Sequence, residues 1–142
     1  MAADERVALT LHAIRAVKVP TADAGNDPLL APSHAEGPRV VVLGLDGRAV
    51  TVVPLDRVTG STVYDGLRTV IREGYGANLD DLLLQEKDVR REMDRLDVER
   101  RSILLSPLSD SEWKQKSARL EDRKRDLEAK QRAIWALKSR TA

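Results

Sequence analysis

Two stretches of the chain carry apolar residues at the spacing of α-helices that pack side by side. After residue 78, steps of three and four join eight positions: Leu79, Leu82, Glu86, Val89, Met93, Leu96, Arg100 and Ile103. After residue 112 the step is seven, through Trp113, Leu120, Leu127 and Ile134, with Leu137 following. This periodicity is typical of coiled-coil helices. In the first stretch, two polar residues, Glu86 and Arg100, interrupt the apolar positions.

The sequence between the two stretches predicts a sharp reversal. Pro107 cannot continue a helix and disfavours helical geometry at the residue before it. Ser109 and Glu112 have the spacing of a capping box, and Leu108 and Trp113 occupy the positions of a hydrophobic staple around that cap. At the other end, Asn78 is the predicted N-cap of the first helix. Two helices joined at 106–108 are therefore expected.

One antiparallel register pairs the apolar positions of both helices. When residue i faces residue 216 − i, the pairs are Ile103–Trp113, Leu96–Leu120, Val89–Leu127, Leu82–Ile134 and Leu79–Leu137. A hairpin folded within one chain is therefore favoured over a single continuous rod. The same register places Glu86 opposite Lys130, a favourable pair, and Arg100 opposite Lys116, an unfavourable one.

The first half of the chain has the pattern of a small sheet with one helix. Residues 39–55 predict a β-hairpin around Asp46-Gly47, a strong turn signal. Residues 5–19 alternate like a third strand, although a helical stripe also fits them. Residues 62–73 predict a helix that is capped at Thr62, ends at Gly74 and covers the sheet. A loop rich in proline and glycine, 20–38, connects the first segment to the hairpin.

The predicted fold class is therefore α+β: a small antiparallel β-sheet with a covering helix, followed by a long antiparallel α-helical hairpin. The expected domains are 1–77, which includes the loop 20–38, and the hairpin arm 78–142.

Composition argues against several classes of function. The chain has no cysteine, so it has no disulfide framework, thiolate metal site or cysteine nucleophile. The two histidines, His12 and His34, lack the partners of a metal or catalytic site, and no phosphate-binding motif occurs. We therefore expect no enzyme, no catalytic or metal-binding residues and no cofactor.

Charge and hydropathy also bear on partners and location. The net charge of +1 argues against a general nucleic-acid coat, although the second helix is basic. The N-terminus does not have the pattern of a signal peptide, and no apolar run is long enough to span a membrane. A soluble protein of the cytoplasm or of a virion is therefore expected.

Apolar residues beyond the seam form two candidate docking clusters. The tip cluster, Leu104, Leu105, Leu108 and Trp113, exceeds what one seam can bury. The base cluster comprises Leu83, Leu84 and Trp135, and it could dock on a partner or on the chain's own sheet and helix. Exposed apolar clusters mark contact sites, and tryptophan is a favoured anchor. A tight apex packed on itself is the alternative for the tip.

These patterns indicate a non-enzymatic structural or assembly subunit of a large multi-copy complex, with a bacteriophage virion or tail component as the first hypothesis. Its partners would be protein subunits, either further copies of itself or other components. One alternative is a coiled-coil regulator that inserts its tip, with Asp110 and Glu112, into a larger machine such as RNA polymerase. The other is a basic arm that contacts nucleic acid through the second helix.

Overall fold

The computed structural model describes residues 2–11, 14, 16–33 and 37–139. Its helices and strands are α1 Ala3–Leu11, α2 Thr21–Ala24, β1 Arg39–Leu43, β2 Ala49–Pro54, α3 Gly60–Tyr75, α4 Leu79–Leu104 and α5 Asp110–Ile134. The chain divides into two compact units. One contains α1 to α3, the sheet and the start of α4 through Leu83, together with 137–139; the other is Leu84–Ala136.

The sheet of the first unit has two antiparallel strands. Val41 lies opposite Val52 and Val42 opposite Thr51, with an irregularity just after Val42. The predicted turn is present, and Gly47 has a φ of +76°, a conformation that glycine adopts without a steric penalty. The β-hairpin is therefore confirmed.

The prediction of a third strand within 5–19 was wrong, because the described residues Ala3–Leu11 form helix α1. Leu9 and Thr10 are buried, and α1 lies against α3 so closely that an added Cβ at Gly60 would meet Asp4. Tertiary packing on α3 thus decided between two patterns that the sequence alone supports about equally.

Helix α3 begins and ends outside its predicted bounds. Its N-cap is Thr59, whose hydroxyl accepts from the N–H of Thr62 while the Thr62 side chain accepts from the N–H of Thr59. Thr62 is therefore the inner partner of a capping box and not the cap itself. The helix continues through Gly74 to Tyr75, and its C-cap is Gly76, which has the left-handed conformation with a φ of +68°.

Helix α3 covers the sheet, as the sequence predicted. Its inner face buries Tyr64, Leu67, Val70 and Ile71. At Gly66 the backbone of the helix approaches Thr51 and Val42 directly, which is possible only because no side chain intervenes. The predicted loop contains two short helical turns, α2 and the 3₁₀ turn Ala31–Ser33.

The long helices α4 and α5 pack against each other as an antiparallel hairpin, so the predicted fold class is confirmed. In the second unit, Val89, Leu96 and Leu120 are buried on the seam and Leu127 is half-buried. Both predicted caps are present, since Ser109 and Glu112 form a reciprocal capping box and Asn78 Oδ1 accepts from the N–H of Asp80. Among the described residues, no helix has the length and apolar character needed to cross a membrane.

Candidate functional site

The apex of the hairpin exposes most of the predicted tip cluster. Leu105 is 87% exposed, Leu104 61% and Trp113 44%, whereas Leu108 is half-buried. Leu104 ends α4, and Trp113 lies in the first turn of α5. These side chains thus reach the surface together at one end of the second unit.

Several side-chain hydrogen bonds help to fix the apex. The Ser106 hydroxyl donates to the carbonyl of Ser102 at 2.8 Å. The Glu112 carboxylate accepts from the N–H of Ser109 at 3.1 Å and from its hydroxyl at 2.8 Å. The hydrogen bonds from Ser109 lower the pKa of Glu112. Of the two acidic residues at the tip, Glu112 is therefore engaged in the cap.

The residues of the predicted base cluster differ in burial. Leu83 is buried in the first unit, whereas Leu84 is 60% exposed on α4 of the second. Trp135 is half-buried, and its indole N–H donates to Glu86 Oε2 at 3.1 Å. Trp135 thus contacts α4. The sequence had instead predicted that it docks on the sheet, on the covering helix or on a partner.

A buried carboxylate lies in the hairpin seam, in the first half of α4. Glu86 is 2% exposed, and its Oε1 accepts from Arg90 Nε and from Gln131 Nε2, both at 2.7 Å. With Trp135 on Oε2, each oxygen has a donor. Burial raises the pKa of Glu86, but the hydrogen bonds from Gln131, Arg90 and Trp135 outweigh it, so the pKa is lowered.

The predicted pair of Glu86 with Lys130 was wrong. The partner on α5 is the neighbouring Gln131, with Trp135 four residues further on the same face, and Lys130 is exposed. A half-buried amide and indole can accompany a carboxylate into the seam, whereas a lysine would have to lose its hydration. The i,i+4 spacing of Gln131 and Trp135, which places both on one face of the helix, was the signal in the sequence that could have identified them as the partners of Glu86.

A second polar centre, which the sequence did not reveal, joins α1, α3 and the start of α4. The Tyr64 hydroxyl donates to Asp80 Oδ1 at 2.6 Å. Arg6 and Arg68 each lie 3.6 Å from Asp80, and the Arg6 guanidinium lies 5.2 Å from the centroid of the Tyr64 ring. Asp80 also lies in the first turn of α4. Its ring of partners makes it a structural tie within the first unit.

Tyr64 should titrate at unusually high pH. Burial, followed by the hydrogen bond and charge of Asp80, raises its pKa to about 12. The unfolded chain loses this proton near pH 10. Stability that depends on protonated Tyr64 is therefore full below pH 10 and falls as pH rises towards 12.

Absorbance of tyrosinate near 295 nm checks this titration. We expect the absorbance change that disappears on Tyr64→Phe to be centred near pH 12. A Tyr64 step centred near pH 10 would contradict the buried hydrogen bond to Asp80. Tyr75→Phe is the matched control, because it removes the other tyrosine of the chain.

The basic helix α5 is largely solvated, and part of its charge is paired. Arg123 Nη1 lies 2.7 Å from Glu99 of α4, and Arg125 lies 2.6 Å from Asp122 on α5 itself. Within the described parts of the chain, no group of three or more His, Cys, Asp or Glu side chains could hold a metal ion. His12 and His34 lie outside the described residues.

Comparison with known proteins adds no relative. No family model matches the chain, and no curated protein or solved structure shows significant similarity to it.

Proposed function

We propose that this protein is a non-enzymatic structural or assembly subunit of a large multi-copy complex and that it docks on neighbouring proteins through its helical hairpin. The observation that carries the proposal is the apex, where Leu104, Leu105 and Trp113 are 61%, 87% and 44% exposed. The hydrogen bonds at the apex are made by serine and glutamate, and the exposed apolar surface of these three side chains is what we propose a partner covers.

The anatomy of the hairpin supports a docking role. The hairpin also carries the exposed cations Arg100, Arg101 and Lys114 near the apex, and no salt bridge joins them to a carboxylate within the described residues. An apolar centre with a charged rim is the usual composition of a protein interface. A component of a bacteriophage virion or tail is the form of complex that we propose first.

The regulator and nucleic-acid alternatives have weaker support. At the tip, Glu112 is engaged in the helix cap, which leaves only Asp110 for a cation. On α5, two of the basic side chains are paired with carboxylates. Neither alternative uses the exposed leucines of the apex.

The double variant Leu104→Ser, Trp113→Ala tests the proposal. In extracts of the organism that makes the protein, we expect the wild-type chain to sediment with a large complex and the double variant to sediment alone. Truncating an interface tryptophan typically costs about 2 kcal/mol or more, which corresponds to roughly thirtyfold in affinity. Fractionation on a density gradient followed by immunoblotting measures the shift.

Leu55→Ser is the matched control, because Leu55 is a comparably exposed leucine in the first unit. This control should sediment like the wild type. Equal sedimentation of the apex variant and the wild type would overturn the docking role of the apex, provided that circular dichroism shows the same helix content. Sedimentation of the wild-type chain alone, under every extraction condition, would overturn the assembly function itself.

A further inference from the structure

Helix α4 carries a second stripe of residues at intervals of seven, apart from the seam that faces α5. Its members are Leu84, Arg91, Val98 and Leu105. At about 3.6 residues per turn, this stripe lies on roughly the opposite side of the helix from the buried Val89 and Leu96. Leu84 and Val98 are 60% and 65% exposed, and Leu105 extends the last turn because its N–H donates to the carbonyl of Arg101.

The stripe is complementary to itself in the antiparallel direction. When residue i of one copy faces residue 189 − i of another, Leu84 lies opposite Leu105 and Val98 lies opposite Arg91. Each contact occurs twice, because such a pair of helices has twofold symmetry. The aliphatic part of the arginine side chain can cover a valine while its charge stays in water.

The charges beside the stripe favour the same register. It places Asp88 opposite Arg101 and Asp94 opposite Arg95, and all four side chains are exposed. A parallel pair in register would instead place each residue beside its own copy, with Arg91 against Arg91. Since like charges in contact are unfavourable, the pattern selects the antiparallel pair.

The existing ion pairs do not oppose this arrangement. Asp88 lies 3.5 Å from Arg91, and Arg95 is paired with Glu92. Exposed pairs of this kind contribute only about 0–1 kcal/mol, so they can be exchanged for contacts with a second chain.

We propose that two copies of this chain pair antiparallel through the outer faces of their α4 helices. This inference rests on the proposed assembly function and names one of its partners, a second copy of the chain. The occupant is a second copy because one register places leucine opposite leucine and, beside the stripe, Asp88 and Asp94 opposite arginines. Leu104 and Trp113 lie off the stripe and stay available at the apex.

Engineered cysteines test the register directly, because the natural chain contains none. We expect Leu84→Cys protein mixed with Leu105→Cys protein to form a disulfide-linked dimer under mild oxidation. Each variant alone should cross-link poorly, because identical positions would lie about 30 Å apart along the helix axis. Efficient cross-linking of each variant with itself, and none in the mixture, would overturn the antiparallel register.

Charge reversal tests the pairing in solution. Asp88→Arg or Arg101→Asp alone should raise the dissociation constant measured by sedimentation equilibrium at least about tenfold, because each creates two like-charge contacts per dimer. The double variant should recover most of this loss. Lys124→Asp is the control, since it makes the same kind of change on exposed α5 and should pair normally.

The two proposals fail in different ways. A chain that is monomeric at every concentration but still enters a large complex through its apex overturns the pairing alone. A chain that pairs but never enters a larger complex overturns the assembly function alone. Pairing that is insensitive to both charge reversals also contradicts the α4 interface.

Discussion

Glutamine at position 86 is expected to destabilise the hairpin by about 2–3 kcal/mol, although its shape matches glutamate. The Glu86 carboxylate accepts from three donors, those of Arg90, Gln131 and Trp135, and it is almost completely buried. The amide removes the charge and turns an N–H₂ group towards at least one of these donors. Hydrogen bonds to charged groups are worth about 1.5–3 kcal/mol each. Chemical denaturation followed by circular dichroism measures the loss.

The same substitution should change the pH dependence of stability. The pKa of Glu86 is lowered in the folded chain, whereas an unfolded glutamate titrates near 4.3. Its contribution is therefore fully present above about pH 4.3 and is lost as pH falls through the folded pKa. Glu86→Gln should flatten this acid limb, whereas Glu121→Gln, an exposed control on α5, should leave it unchanged.

Replacing the polar centre altogether should cost less than breaking it. Glu86→Leu combined with Gln131→Leu continues the apolar seam, and it leaves the half-buried Trp135 N–H and the partly exposed Arg90 guanidinium without their carboxylate. Buried ionic groups can often be exchanged for apolar groups of similar volume without loss of stability. A double variant less stable than Glu86→Gln would contradict this account of the seam.

Alanine at position 66 is expected to destabilise the first unit by about 1–3 kcal/mol, against the usual preference of helices for alanine. A Cβ at Gly66 would lie 2.6 Å from Thr51 Oγ1 and 3.0 Å from Thr51 Cβ, with Val42 also in contact. Overpacking of this kind costs more than the roughly 1 kcal/mol that alanine gains over glycine inside a helix. Thermal unfolding measures the change.

Gly74 provides a matched control in the same helix. The nearest atoms to a Cβ there are Leu45 Cδ1 at 2.8 Å and Leu45 Cγ at 2.9 Å, both on an exposed side chain. Leu45 can move aside, so Gly74→Ala should be neutral or stabilising by up to about 1 kcal/mol. If Gly66→Ala and Gly74→Ala changed the free energy of unfolding by the same amount in the same direction, α3 would not pack on the sheet as described.

The parts of the fold that follow from local sequence were predictable. Pro107 with the Ser109–Glu112 box determines where α5 begins, and Asp46-Gly47 determines the β-turn. The spacing of the seam predicted which faces of α4 and α5 meet. Each of these signals acts within a few residues, so its physical cause is present in the sequence itself.

The parts that depend on distant contacts were not predictable from one sequence. Residues 5–19 satisfy two periodicities, and packing of α1 on α3 selected the helix. Glu86 was seen as an interruption of the seam, but two of its three donors, Gln131 of α5 and Trp135 just after it, lie 45 and 49 residues away along the chain. The Tyr64–Asp80 tie likewise joins two helices and has no motif of its own.

The two tryptophans of the chain give it separate optical reporters. Trp135 donates its indole N–H to a carboxylate in the seam, whereas Trp113 is 44% exposed at the apex. Fluorescence from a Trp113→Phe chain should therefore follow the opening of the hairpin, and fluorescence from a Trp135→Phe chain should follow the arrival of another molecule. Opening of the hairpin and binding at the apex can thus be recorded independently on the same protein, without an attached dye.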